Sequence, residues 1–267
     1  HFSVEIPRFP GTFAGGGNSI GGFQRFVTNY TPEQREYIVR YYRAYAQYLK
    51  DRGVFDDAVV YLYDEPERTK EVIDFIKDCR ELIREADPDL RCLMAGHIWP
   101  ELVGTIDVWC PQVCDLQTEE DLAVVAERKA AGDEVWAYSV VDQPPHAAWL
   151  VDPKCDLIST RLLFWIVRQY GIEGFLHWMG DLQMHPVARL RNAEECYLPK
   201  GPGLYEFGAG QLMYSKPVSG EQVDASVPYA TAVIPSIRLK AIRDGLEDYE
   251  YFVLLSDAVA KAKAAGR

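Results

Sequence analysis

The strongest constraint on this chain is a repeated succession of short, apolar, β-branched runs and stretches of helical period. Val59–Tyr63 (VVYLY) is apolar on both faces, the pattern of a strand buried from both sides in a parallel sheet. Before it, Thr31-Pro32-Glu33-Gln34 combines an N-cap, a proline in the first turn and a glutamine three residues on. The spacing predicts a helix whose inward stripe is Ile38, Tyr41, Tyr45 and Leu49, ending near Gly53. After the strand, Val72, Phe75, Ile76, Cys79, Leu82 and Ile83 mark a second helix, which Pro66 is expected to open. The alternation continues with strands near Arg91–Ala95, Ile106–Cys110, Glu134–Val140 and Gly174–Trp178, and with helices over Thr118–Ala131 and Cys155–Gln169. Phe2, Val4 and Ile6 alternate like a half-buried strand, and Gln211–Tyr214 reads as a further short one. Ser236–Ala264 is expected to close the chain as a long helix with Leu239, Ile242, Leu246, Tyr249 and Val253 on one face.

No composition break marks a linker, so the expectation is a single α/β domain over residues 1–267 with a mainly parallel sheet. Six clear strands approach the eight of a (β/α)8 barrel of the TIM type. The chain starts at His1, and an N-terminal truncation that removes the first strands would complete the count. A doubly wound sheet is the second choice, because the glycine-rich stretch Pro10–Phe23 fits neither the dinucleotide fingerprint nor the P-loop. The 267 residues carry 28 Lys+Arg against 40 Asp+Glu, a net charge of −12. That sign argues against nucleic acid and anionic membrane as partners, and no run of about 18 apolar residues provides a membrane span. Six cysteines at 79, 92, 110, 114, 155 and 196 read as scattered core thiols, since Cys110 and Cys114 lack a second ligand pair.

Chemistry is most legible where Val59–Tyr63 runs into Asp64-Glu65-Pro66. Parallel barrels place their reacting groups at the C-terminal ends of strands. Neighbouring strand residues face opposite ways, so Asp64 and Glu65 share a pocket only if the chain bends, and Pro66, which bars the α-region for Glu65, favours that bend. Burial beside an ionised Asp64 would outweigh the helix N-terminus and keep Glu65 protonated, as a general acid requires. The competing reading is that either carboxylate merely caps a helix. Aromatic residues recur at the strand ends, and such rings can pack on the C–H face of a sugar. Tyr63, His97, Trp99, Tyr138 and Trp178 are therefore candidates for substrate contact, as is Asp181, which opens the long irregular stretch Asp181–Gly210. Asp64, Glu65, His97, His177, Asp181 and His185 show no short metal-ligand spacing, so neither a metal nor another cofactor is expected.

Four segments together resemble a known family. Tyr61-Leu62-Tyr63-Asp64-Glu65-Pro66, Gly132–Tyr138, Tyr170–Trp178 and the closing Pro235–Glu250 are similar to the catalytic domain of glycoside hydrolase family 123, from about residue 55 onward. The resemblance implies a (β/α)8-type barrel acting on β-linked N-acetylgalactosaminides by a retaining, substrate-assisted mechanism. Asp64 would orient the substrate's acetamido group as it forms an oxazolinium ion, and Glu65 would protonate the leaving oxygen and later activate water. The same resemblance implies an exported bacterial enzyme, extracellular or periplasmic, with a carbohydrate as its partner. A non-catalytic carbohydrate-binding relative is the alternative, and metal-dependent chemistry on the same barrel a third. Arg238 and Arg243 are expected to pair with acidic neighbours such as Asp244 and Glu247.

Overall fold

A computed structural model describes residues 2–4, 30–139, 157–177, 180, 212–215 and 233–266. The chain divides into two compact units, His1–Tyr138 and Ser139–Arg267. The described residues of the first unit include five strands: β1 (Phe2–Val4), β2 (Ala58–Asp64), β3 (Cys92–Ala95), β4 (Val108–Cys110) and β5 (Glu134–Tyr138). They lie side by side in chain order, and every neighbouring pair is parallel. Helices α1 (Pro32–Asp51), α2 (Lys70–Ala86) and α3 (Glu119–Ala130) alternate with them, as the apolar periodicity predicts.

The helix starts follow their caps. Thr31 accepts from the Gln34 N–H while the Gln34 side chain accepts from the Thr31 N–H, and Thr118 and Asp121 repeat the arrangement at α3. One start departs from expectation. Pro66 does not open α2; Thr69 caps it by accepting from Val72 N–H, so residues 65–69 form a non-helical connection. Leu62, Leu93, Met94, Trp109 and Val135 of the strands and Tyr42, Ile76 and Ile83 of the helices are all buried, and adjacent Leu93 and Met94 show that both faces of the sheet are covered. Arg80 is buried in it as well. It donates to Leu90 O at 2.6 Å and pairs with Asp107 at 2.8 Å, while Asp107 accepts from Cys92 N–H at 2.7 Å. The buried guanidinium is tolerated because both of its terminal nitrogens are engaged in this way, the ion pair with Asp107 balancing its charge. Cys79, Cys92 and Cys110 are buried free thiols, as expected, and Cys114 is a half-buried one.

In the second unit, α4 (Leu157–Gln169) packs along α5 (Ile237–Ala264), beside β6 (Gly174–Leu176) and an antiparallel pair of β7 (Met213–Ser215) and β8 (Val233–Pro235). Of the expected inward stripe of α5, Leu239, Ile242, Tyr249 and Val253 are half-buried and Leu246 is exposed, while Gly245 is buried. A Cβ on Gly245 would lie 2.6 Å from Phe164 and 2.9 Å from Arg161 O, so the missing side chain permits the close approach of the two helices. Arg161 fastens them with two bonds to Asp248 at 2.5 and 2.7 Å, and Arg243 pairs with Asp244 and Glu247 as expected. Among the described residues no helix is long and apolar enough to cross a membrane.

Candidate active site

An irregularity in β2 decides where its carboxylates face. Tyr61 to Tyr63 run against only Leu93 to Met94 of β3, so the strand accommodates one extra residue. In a regular strand Tyr61 and Asp64, three apart, would point to opposite sides. With the bulge they meet, and the Tyr61 hydroxyl donates to Asp64 Oδ1 at 2.8 Å.

The chain then bends sharply at Glu65. Its φ of +44° is the one positive value at a non-glycine among the described residues, a conformation that costs about 1–2 kcal/mol. The bend does not come from the restriction Pro66 places on the α-region, since the left-handed region is the one occupied. It is held instead by the Glu65 N–H, which donates to Ala95 O at 2.9 Å, and by the space above Gly96. Gly96 has φ +132°, and a Cβ there would stand 3.3 Å from Pro66 Cδ and 3.8 Å from Glu65 Cα.

This geometry carries the Glu65 carboxylate to two donors from neighbouring strand ends. The Tyr138 hydroxyl donates to Glu65 Oε1 at 2.5 Å and Gln112 Nε2 to the same oxygen at 3.2 Å. Gln112 and Tyr138 are themselves adjacent, joined as a parallel bridge just beyond β4 and at the end of β5. The two carboxylates and their partners thus gather at the C-terminal ends of β2, β4 and β5, the end at which barrel enzymes do their chemistry.

Burial falls differently on the two carboxyls than the sequence suggests. Glu65 is exposed, and α2 begins too far along the chain for its N-terminus to act on it. Asp64 is the half-buried one: desolvation holds its carboxyl above the usual range, the Tyr61 hydrogen bond opposes this, and the charge of Glu65 adds to it. Burial followed by the nearby carboxylate pushes the Tyr61 phenol far up, and burial followed by the bond to Glu65 does the same for Tyr138. Both phenols therefore stay protonated and act as donors.

The other expected contacts divide. Tyr63 is buried against Phe75, ring centroids 6.3 Å apart, and belongs to the core on the α2 side, because as the strand neighbour of Asp64 it faces the other way. Trp99 is also buried, with the Arg68 guanidinium 6.0 Å from its ring centre. His97 is exposed beyond β3, and its Nδ1 lies 3.5 Å from Asp115 Oδ2. Burial raises the Asp115 carboxyl, with His97 opposing. Trp178 and Asp181 lie outside the described residues. In the second unit His177 follows β6 with both ring nitrogens buried and without a hydrogen-bond partner among the described residues; burial lowers its pKa to about 4, so the ring is neutral. Two members of the cluster, Tyr61 and Gln112, were not among the expected site residues. Regular alternation sets Tyr61 on the side away from Asp64 unless a bulge intervenes, and Gln112 carries no motif. Among the described residues no three His, Cys, Asp or Glu side chains gather to hold a metal ion.

Two measurements test this geometry. If Glu65 is strained, Glu65→Gly unfolds at higher denaturant than Glu65→Ala, by about 1 kcal/mol, because only glycine occupies positive φ freely; equal stabilities would contradict the strain. Because the folded state raises the Asp64 pKa, the ionised side chain costs stability at neutral pH, and that cost disappears as pH falls through the raised value. Asp64→Asn is therefore more stable than the parent at neutral pH, with the advantage shrinking as pH falls through the raised value and gone below the ordinary carboxylate pKa of about 4, in pH-resolved unfolding.

Comparison with known proteins places this cluster in context. Residues 18–197 match the family described as glycoside hydrolase 123, catalytic domain. No curated protein matches the chain. Among solved structures it is similar to a family 123 glycoside hydrolase from Clostridium perfringens, described in connection with the details of glycolipid glycan hydrolysis. The identity is 16%, the TM-score 0.61, and the match covers 88% of this chain and 37% of that one. At that identity the likeness speaks for the fold, an α/β half-barrel of parallel strands, and the chain spans little more than a third of that protein's length. Since the catalytic-domain match extends over residues 18–197 of 267, the chain belongs to glycoside hydrolase family 123.

Proposed function

We propose that this chain is part of a (β/α)8 glycosidase that removes β-linked N-acetylhexosamine, N-acetylgalactosamine by preference, through a retaining, substrate-assisted mechanism. The observation that carries the reading is the pair of adjacent carboxyls at the end of β2, each engaged by its own tyrosine hydroxyl. A retaining enzyme that supplies its own nucleophile sets two carboxyls about 5 Å apart, flanking the scissile bond, whereas neighbours on one bend are suited to act from one side of the sugar. The acetamido group then serves as the nucleophile.

In the first step the acetamido oxygen donates a lone pair to the anomeric carbon as the glycosidic C–O bond breaks. The bonding pair leaves with the glycosidic oxygen, which takes its proton from Glu65. Asp64 accepts the acetamido N–H and stabilises the positive charge of the oxazolinium ion. Tyr61 occupies Oδ1 of Asp64, which leaves Oδ2 for the substrate. In the second step water attacks the anomeric carbon, gives its proton to the Glu65 carboxylate, and the ring opens to the free sugar. Two inversions yield net retention. The Clostridium perfringens relative's connection to glycolipid glycans is consistent with a conjugated glycan as substrate, met outside the cell or in the periplasm.

The test is release of chromophore from β-N-acetylgalactosaminide, β-N-acetylglucosaminide and unacetylated β-galactoside. Hydrolysis of acetamido sugars alone is expected, falling about 10²–10⁴-fold in Glu65→Gln. Equal turnover of the plain galactoside, or unchanged turnover in Glu65→Gln, would refute the scheme. Binding without hydrolysis would favour the non-catalytic alternative.

A further inference from the structure

We infer that Gln112 and Tyr138 are positioning residues that reserve one oxygen of Glu65, Oε1, as an acceptor and thereby place the proton it transfers on Oε2. The inference rests on the glycosidase reading above and assigns roles within that site. Both side chains converge on the same carboxyl oxygen, at 3.2 and 2.5 Å, and the Tyr138 phenol also hydrogen-bonds with Gln112. A carboxyl oxygen that accepts from two donors is a poor place for a proton, because an O–H there would confront other hydrogens.

The orientation of the Gln112 amide is fixed from its other end. Gln112 Oε1 accepts from Cys114 Sγ at 3.3 Å, which leaves Nε2 to face Glu65. The backbone supports the same arrangement: Tyr138 N–H donates to Pro111 O at 3.1 Å, so the strand ends bearing the two donors are locked together. Glu65 sits on a strained bend and is exposed, so its side chain has few packing contacts to fix its rotamer. Two hydrogen bonds from rigid strand ends supply that constraint. During the reaction the proton leaves Oε2 for the glycosidic oxygen, and the carboxylate that results keeps both donors on Oε1 while Oε2 receives the proton of the attacking water.

The test is a leaving-group series. Gln112→Leu and Tyr138→Phe are compared with the parent on β-N-acetylgalactosaminides carrying dinitrophenyl, nitrophenyl and unactivated alkyl leaving groups, with thermal unfolding as a check on folding. A departing dinitrophenolate needs no proton, whereas an alkoxide does. If the two residues aim the acid, kcat/KM falls about 10–100-fold for the alkyl glycoside and less than about threefold for the dinitrophenyl one, with Glu65→Gln showing the same trend more steeply. A loss of equal size across all leaving groups, or no loss, overturns the assignment while leaving the glycosidase reading in place. No hydrolysis of any acetamido sugar by the parent overturns both.

Discussion

The site depends on one backbone event, the turn of the chain into the left-handed region at Glu65. A straight continuation of β2 would send Asp64 and Glu65 to opposite faces, and no shared chemistry would follow. The hydrogen bond from the Glu65 N–H to Ala95 O and the bare Cα of Gly96 beneath Pro66 hold the bend. The cost of the conformation, about 1–2 kcal/mol, is comparable to one or two such hydrogen bonds, so the neighbouring strand can sustain it. Strain of this kind concentrates where geometry has to serve a reaction.

The second dependence is electrostatic. Asp64 is drawn out of water and raised, and the Tyr61 hydroxyl works in the other direction by favouring its anion. In the proposed mechanism Asp64 accepts an amide N–H and faces a developing cation, and partial desolvation would aid both, since charge interactions strengthen as water is removed. Too much burial would neutralise it. The tyrosine is the counterweight, and its own hydroxyl is kept protonated by the same burial. On the other carboxyl the arrangement is polar and open: Glu65 is exposed and held by hydrogen bonds.

Much of the fold was legible because its signals are local. The capping box at Thr31, the stripe through Phe75, Ile76 and Ile83, and the doubly apolar run Val59–Tyr63 each state their secondary structure within a few residues. The Asp64-Glu65 pair was legible as well, from its place at a strand end. What was not legible depends on neighbours distant in sequence. The bulge between Tyr61 and Tyr63 is a property of the pairing with β3, and it brings Tyr61 onto the side of Asp64. Gln112 is recognisable only once β4 and β5 are side by side. The start of α2 was misread because proline at position 66 has two meanings, first helical residue or end of an extended turn, and Thr69 with its bond to Val72 decided for the second. On α5 the apolar period holds at Leu239, Ile242, Tyr249 and Val253 and fails at Leu246, while the closest approach to α4 falls at Gly245, which carries no apolar signal.

The central claim is that two carboxyls on one bend leave the nucleophile's role to the substrate, which requires two successive displacements at the anomeric carbon, and the stereochemistry of the first-formed product tests that requirement. Proton NMR of the sugar released from a β-N-acetylgalactosaminide, recorded before mutarotation, would show the β-anomer first if the acetamido group attacks and water then returns from the original face. The α-anomer appearing first would mean a single displacement by water and would contradict the account.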